Sequence, residues 1–384
     1  MFQTEFAQCD SVYALPPRSG TGWPVQPGAI VALAQSFIRD TRLPDITILA
    51  PGAFREPHHG DGAWTTLTVN GVVVRVAWYD RVTTDPLIGG DNIPAGRQAL
   101  RLSTWHRIIG TPYYGSPGVA ATMHLRSTRF RGRQGVQWKI RESGVITTWT
   151  PPAQINGLSW HRELKGSAKL ANACQWDLRA AFLAAVSMAY LPGGYLQPTG
   201  ANPIMPADGG TGYYRVRLAK ADPWRRWLGP ADRHGCHWLG PTTYQVLGCP
   251  PVLDSLTAPG RRILRGWAEK WRDILLTCTT EPYRSVLKDG YTQAIGLMAV
   301  PSGSIYRPDW RHMFVDYTQG SMLRRIKKVH GLHAGLLPSC VDVDSVWYHH
   351  PPELAHHTLA ASLEAGNRIG QFRQETQPCL GPVD

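Results

Sequence analysis

Cysteine pairs, long apolar runs and acidic charge are what this 384-residue chain has least of. Its seven cysteines are odd in number and form no Cys-x-x-Cys pair, which argues against a disulfide framework and fits a reducing compartment. Cys236-His237, followed by Cys249, is too irregular in spacing to read as a zinc site. No stretch approaches the ~20 apolar residues of a membrane helix, and the amino terminus lacks a basic segment followed by an apolar one. These absences read as a soluble, intracellular protein with no membrane partner. No Gly-x-Ser-x-Gly occurs, which removes support for serine hydrolase chemistry. The pairs His349-His350 and His356-His357 read as surface residues of a loop before a helix.

The scarce acids leave a charge imbalance. Forty Lys and Arg against 28 Asp and Glu give a formal net charge of +12, so the natural partner is a polyanion, with nucleic acid foremost. The 15 Trp and 14 Tyr fill a core or stack bases. Hydrophobic content of 43% is enough for one large domain or two ordinary ones.

Asn70-Gly71 inside an alternating stretch from Ala63 to Trp78 predicts a two-residue hairpin. A helix is expected over 29–40 and a short strand at 45–49. Between 124 and 141, Arg126, Arg129, Arg131 and Arg133 interleave with Phe130 and Trp138. That pattern fits a nucleic-acid groove or the solvated face of a basic protein. A linker is read at 150–157. A strand runs from 172 into Asp177, followed by a helix over 178–189. Further helices are expected over 261–277, 281–298, 309–329 and 352–365.

Three segments carry the chemistry. In Trp176-Asp177-Leu178 an acid ends a strand just before a helix, whose first-turn N–H groups suit phosphate. In the helix over 281–298, Arg284, Lys288 and Thr292 recur at four-residue spacing on one face, with Gly296 beyond. In Asp342-Val343-Asp344 two carboxylates sit at the tip of a tight hairpin. Acids so placed repel each other unless a cation lies between them, and an oxygen-rich site of this kind suits Mg²⁺.

In this order the segments resemble motifs A, B and C of family B DNA polymerases. The family patterns are Asp-x-x-Ser-Leu-Tyr-Pro, Lys-x-x-x-Asn-Ser-x-Tyr-Gly and Tyr-x-Asp-Thr-Asp-Ser. Two flanking stretches agree: Arg307-Pro-Asp-Trp-Arg-His resembles the helix between motifs B and C, and Ile369-Gly-Gln-Phe-Arg-Gln-Glu375 resembles the Leu-Gly-x-Trp-Lys-x-Glu segment after motif C. The resemblance covers about residues 160–376. It implies an α+β fold, with an antiparallel polymerase palm sheet flanked by helices, a helical fingers insertion and a small N-terminal α/β module. The implied domains are an N-terminal module over 1–150, palm with motif A and a Gly/Pro-rich insertion over 151–260, fingers with motif B over 261–300, and palm with motif C and a reduced thumb over 301–384.

The resemblance also implies roles. Asp177, Asp344 and Asp342 become catalytic. Asp177, Leu178 and Asp344 become metal-binding, for Mg²⁺ or Mn²⁺. Leu178, Phe182, Lys288, Arg284, Thr292 and Gly296 become nucleotide-binding. Arg126, Arg129, Arg131, Arg133, Arg324, Arg325 and Arg373 become contacts to nucleic acid. The implied activity is template-directed DNA synthesis during replication, with DNA primer–template and dNTP as ligands, a priming or accessory replication protein as a further partner, and the cytoplasm of a bacterial or phage-infected cell as the setting. Several positions depart from the family. Phe182 replaces Tyr, Ala180 replaces Ser, Thr292-Gln293 replaces Asn-Ser, and Ile295 replaces Tyr. No Asp-x-Glu occurs anywhere, so no 3′–5′ exonuclease is expected, and the N-terminal module is either an inactive remnant of that domain or something unrelated. Two rival readings are a priming or terminal nucleotidyltransferase of a linear plasmid or phage, and a non-catalytic DNA-binding palm scaffold. Retention of all three acids argues against the scaffold.

Overall fold

Asn70 and Gly71 adopt left-handed conformations (φ 51° and 79°) and turn β4 (Trp64–Val69) back onto β5 (Val72–Trp78), as their residue types predict. The computed structural model to which they belong describes residues 7–9, 12–14, 35, 45–50, 64–78, 87–88, 95–128, 134–140, 159–160, 174–228, 231–342, 344–349, 354 and 356–375. The linker read at 150–157, Arg129, Arg131, Arg133 and, apart from Gln35, the helix read at 29–40 lie outside these residues. The chain divides into two compact units, Met1–Thr128 with Asp273–Ala294, and Arg129–Arg272 with Ile295–Asp384. No helix among the described residues is long and apolar enough to cross a membrane.

Unit 1 is built on a mixed sheet. Strands β1 (Ala7–Cys9), β2 (Val12–Ala14) and β3 (Asp45–Ala50) join the hairpin in the order β1-β2-β3-β5-β4, with β2, β3 and β5 parallel. Helix α1 (Ala95–Ile109) buries Leu102, Trp105 and Ile109, a stripe at helical spacing, and Trp105 meets Tyr113 edge to face at 5.3 Å. Helix α2 (Pro117–Ser127) starts where Ser116 accepts from the Val119 amide and Pro117 fills the first position.

Unit 2 holds two largely antiparallel sheets. After β6 (Ser159–Trp160) come β7 (Cys174–Leu178), α3 (Ala181–Met188), β8 (Leu191–Pro192), β9 (Gln197–Pro198), β10 (Gly210–Val216), β11 (His237–Leu239), α4 (Pro241–Val246) and β12 (Val252–Arg261). One sheet runs β11-β10-β12-β8, with β9 also on β12. The expected helix over 261–277 starts later than its apolar spacing implied. Gly260 and Arg261 still pair with Pro192 and Leu191 of β8, and α5 covers only Arg265–Thr277. Ile263 and Leu264, which extended the pattern, are buried without being helical.

Helix α6 (Tyr283–Leu297) is followed by the 25-residue α7 (Pro308–Leu332), the hairpin β13 (Cys340–Asp342) and β14 (Ser345–Tyr348), α8 (His356–Ser362) and β15 (Phe372–Gln374). The second sheet has the order β15-β7-β14-β13-β6. Its inner face, with Trp176, Leu178, Val341, Val346, Tyr348 and Phe372, packs on Met322, Leu323, Ile326 and Val329 of α7.

The start of α7 is fixed by a buried ion pair. Arg307 is fully buried, and its Nε and Nη2 donate to the two carboxylate oxygens of Asp309 at 2.9 and 2.6 Å. Its remaining donors reach the carbonyls of Gln137, Pro192 and Gly194, and its guanidinium lies 4.2 Å from the Trp310 ring centre. Three separate chain segments therefore meet on one side chain.

Candidate active site

On β7 the side chains alternate. Trp176 and Leu178 enter the core while Asp177, half-buried, stands on the opposite face. Pairing then aligns residues along that outer face. Asp177 lies opposite Ser345 of β14 and opposite Arg373 of β15, and Ser345 lies opposite Asp342 of β13. With neighbouring strands ~4.8 Å apart, the register sets the Asp342 and Asp177 backbones roughly 10 Å from each other, with Ser345 between. The Ser345 hydroxyl donates to Asp177 Oδ1 at 3.0 Å.

Asp344 occupies the hairpin tip. The Leu178 amide donates to its carbonyl at 2.8 Å, tying the tip to the end of β7. Leu178 and Asp344, which are distant in the chain, thus meet where β7 passes the hairpin tip.

Beyond Leu178 the chain turns sharply. Ala180 takes a left-handed conformation (φ 46°, ψ 49°), which costs a residue with a Cβ about 1–2 kcal/mol. The turn is held from outside: the Arg179 amide donates to the Gln371 carbonyl at 3.0 Å, and the Gly370 amide to the Arg179 carbonyl at 2.8 Å. Helix α3 then begins with no side-chain cap, so its first-turn N–H groups keep their capacity to donate. Phe182, half-buried, is its second residue.

The chain matches no protein-family model and no curated protein sequence. Solved structures do match. Phi29 DNA polymerase complexed with primer-template DNA, a post-translocation binary complex, aligns with a TM-score of 0.54 at 9% identity over 96% of this chain and 82% of that one. The fold is polymerase-like. The ternary complex of phi29 DNA polymerase with primer-template DNA and incoming nucleotide substrates aligns with a TM-score of 0.51 at 11% identity. That alignment covers 73% of this chain, which spans only 55% of the phi29 chain. The complex with single-stranded DNA gives 0.50 at 10% identity, over 89% of this chain and 77% of that one.

Within this polymerase-like fold the remaining site candidates fall in two groups. Arg284, Lys288 and Thr292 lie in unit 1, at successive four-residue steps on α6. Lys288 is exposed, and its carbonyl accepts from the Thr292 hydroxyl at 3.1 Å. Arg284 spends Nη1 on the carbonyls of Leu275 and Cys278, at 3.3 and 3.2 Å, which closes the end of α5. Gly296, in unit 2, is exposed with open space around its Cα.

The cations divide similarly by environment. Arg126 and Arg324 are exposed. Arg325 is half-buried, donates to the Gly370 carbonyl at 2.9 Å and the Ser321 carbonyl at 3.2 Å, and pairs with Glu364 at 3.4 Å. It thereby fastens the 364–370 segment to α7. Arg373 is exposed and paired with Glu375.

Among the described residues no three His, Cys, Asp or Glu converge as a ready-made metal cluster, and the Asp342 side chain is outside what the structure describes. The donors near the hairpin tip, the carboxylates of Asp177 and Asp344, are hard oxygens that fit a cation taking one or two carboxylates and several waters. Sequence reasoning missed Ser345 as a partner of Asp177. Only the register reveals it, because the hydroxyl faces the acid across a strand pair rather than along the chain.

Proposed function

We propose that this chain is a template-directed DNA polymerase of family B type, extending a primer 3′-hydroxyl from dNTP and lacking 3′–5′ exonuclease activity. One observation carries the reading: Asp177 and the Asp-Val-Asp-Ser hairpin, 168 positions apart at the Ser345–Asp177 bond, sit side by side in a polymerase-like fold. In this reading the β15-β7-β14-β13-β6 sheet is the palm, α5 and α6 are the fingers, and DNA primer–template and dNTP are the ligands.

Asp177, Asp344 and the Leu178 backbone carbonyl would hold Mg²⁺, with Asp342 in support. The chemistry Mg²⁺ supplies when bound is a lowered pKa for the attacking hydroxyl and offset charge on the leaving pyrophosphate. The Ser345 hydroxyl orients the Asp177 carboxylate. The uncapped start of α3 offers N–H groups to phosphate, and the Phe182 ring packs under the sugar and excludes a 2′-hydroxyl by volume. Lys288 is the cation that the family B resemblance assigns to the triphosphate, while Arg284 supports the α5–α6 turn.

The test is primer extension with Mg²⁺. Asp177→Asn and Asp344→Asn are each expected to lower incorporation at least ~100-fold, about 2.7 kcal/mol in barrier, with the circular dichroism spectrum unchanged. Near-normal incorporation by either variant removes that residue from the site. Incorporation by the wild type without any template selects the priming or terminal-transfer reading.

A further inference from the structure

At the end of α3 remote from Asp177, roughly 12 Å along an eight-residue helix, unit 2 contains a cavity of about 230 Å³. Met188 and Met313 supply apolar wall, while Arg262, Arg324 and Tyr190 supply polar wall. Neither arginine has a carboxylate partner among the described residues. The Arg262 Nε is buried without a hydrogen-bond acceptor among the described residues, and its guanidinium lies 5.1 Å from the centre of the Tyr190 ring. Tyr190 is itself 44% exposed.

Asp316 also lines the cavity but is already engaged, accepting from the Thr242 amide at 2.8 Å and the Thr243 amide at 3.3 Å. Burial pushes its carboxyl up while those donors hold it down, and two arginines face this one engaged carboxylate. The wall is therefore cationic. A guanidinium drawn partly out of water without a counter-anion is costly, and a phosphate offers both the charge and the paired acceptors that its planar fork matches. The volume is several times the ~30 Å³ share of one water, which leaves room for a phosphoryl group.

We propose that this cavity is a phosphoryl-binding site separate from the acids on β7 and β14, in which Arg262 and Arg324 take a phosphate and the Tyr190 ring receives the adjoining base. The phosphate belongs either to a nucleic-acid strand or to a free nucleotide. The site does not depend on the polymerase reading.

The experiment measures binding to the whole chain in EDTA, where no divalent metal links phosphate to the carboxylates. The probes are a fluorescein-labelled dT12 oligonucleotide, dAMP and inorganic phosphate. The R262M/R324M variant is expected to bind dT12 or dAMP at least tenfold more weakly than wild type. If the phosphate comes from a strand, dT12 alone weakens and the salt slope falls by about 0.7, the value for one phosphate of a single strand. If it comes from a free nucleotide, dAMP weakens and inorganic phosphate competes with it.

Equal binding of all probes by wild type and variant overturns the proposal, as does wild type binding none of them. Should the double variant not fold, two readouts replace it: Arg324→Met alone, and phenylglyoxal labelling of Arg262 and Arg324 in wild type. Labelling that the probes fail to suppress counts against the site. Asp177→Asn separates the two readings, because it is expected to lose incorporation yet keep metal-free binding. A wild type that never incorporates nucleotide, but whose binding is lost only in R262M/R324M, ends the polymerase reading and keeps the cavity.

Discussion

Replacing Arg307 with Met is expected to destabilise unit 2 by about 3–5 kcal/mol, the range for removing one partner of a buried ion pair. Met keeps most of the aliphatic volume, so the loss is electrostatic. Asp309, with 8% of its surface exposed, is left carrying an uncompensated carboxylate, and the carbonyls of Gln137, Pro192 and Gly194 lose their donors. Hydrogen bonds to charged groups contribute roughly 1.5–3 kcal/mol each, and six end on this guanidinium, so the sum would exceed the expected range. Relaxation and water entry are expected to hold the loss within the lower range. Against a total of about 5–15 kcal/mol the effect is large enough to read from a urea midpoint at constant slope. Replacing both partners, as R307M/D309L, is expected to recover at least half the loss, because an apolar pair leaves no orphaned charge. A cost below ~1 kcal/mol for Arg307→Met alone, or a double variant no more stable than the single, refutes the account.

Tyr348 is fully buried and its hydroxyl has no hydrogen-bond partner among the described residues, while burial pushes its pKa up. Tyr348→Phe is therefore expected to raise stability by about 0.5–1.5 kcal/mol in thermal melts, and a loss of that size would contradict the packing described. At the left-handed turn after Asp177, Ala180→Val is expected to cost more than ~1 kcal/mol while Ala180→Gly costs nothing or gains up to ~1 kcal/mol; the reverse order in denaturant titration would refute the strain. Burial alone would raise the Asp232 carboxyl, but the Cys236 amide, the Arg215 guanidinium and the His234 amide together hold it down to about 2 from 3.8. A depressed pKa means that its contribution is present above 3.8 and lost as pH falls toward 2. The stability gap between wild type and Asp232→Asn should accordingly shrink from pH 6 to pH 2, and a constant gap would show that the carboxylate is not the group responsible.

Local rules made much of this molecule legible. Asn70-Gly71 announced its hairpin because only a few residue types tolerate both left-handed conformations. The strand ending at Asp177, the hairpin at Asp342–Asp344 and α7 were readable from alternation and helical spacing. What stayed hidden depends on partners remote in the chain. The apolar pair Ile263-Leu264 looked helical, yet the preceding residues were claimed by β8. Arg284 and Arg325 read as cations for a ligand, and the carbonyls that they also hold lie across turns that no periodicity predicts. Arg307 reads as an ordinary basic residue before a helix. Its burial follows only once two carbonyl-bearing segments, at Gln137 and at 192–194, are brought to it.

The polypeptide builds unit 1 as far as Thr128, departs, and returns to it only at Asp273. The returning stretch is structural: the Gly118 amide donates to Gln293 Oε1 at 3.1 Å, and a Cβ on Gly118 would lie 2.5 Å from the Gln293 Cβ. On the ribosome, α2 must therefore wait for about 165 further residues before its neighbour emerges, some 8–30 s at ordinary elongation rates. A fragment stopping at 128 would present the surface shaped for Gln293 bare to solvent. Any dissection of this protein into pieces has to carry 273–294 along with the amino-terminal segment.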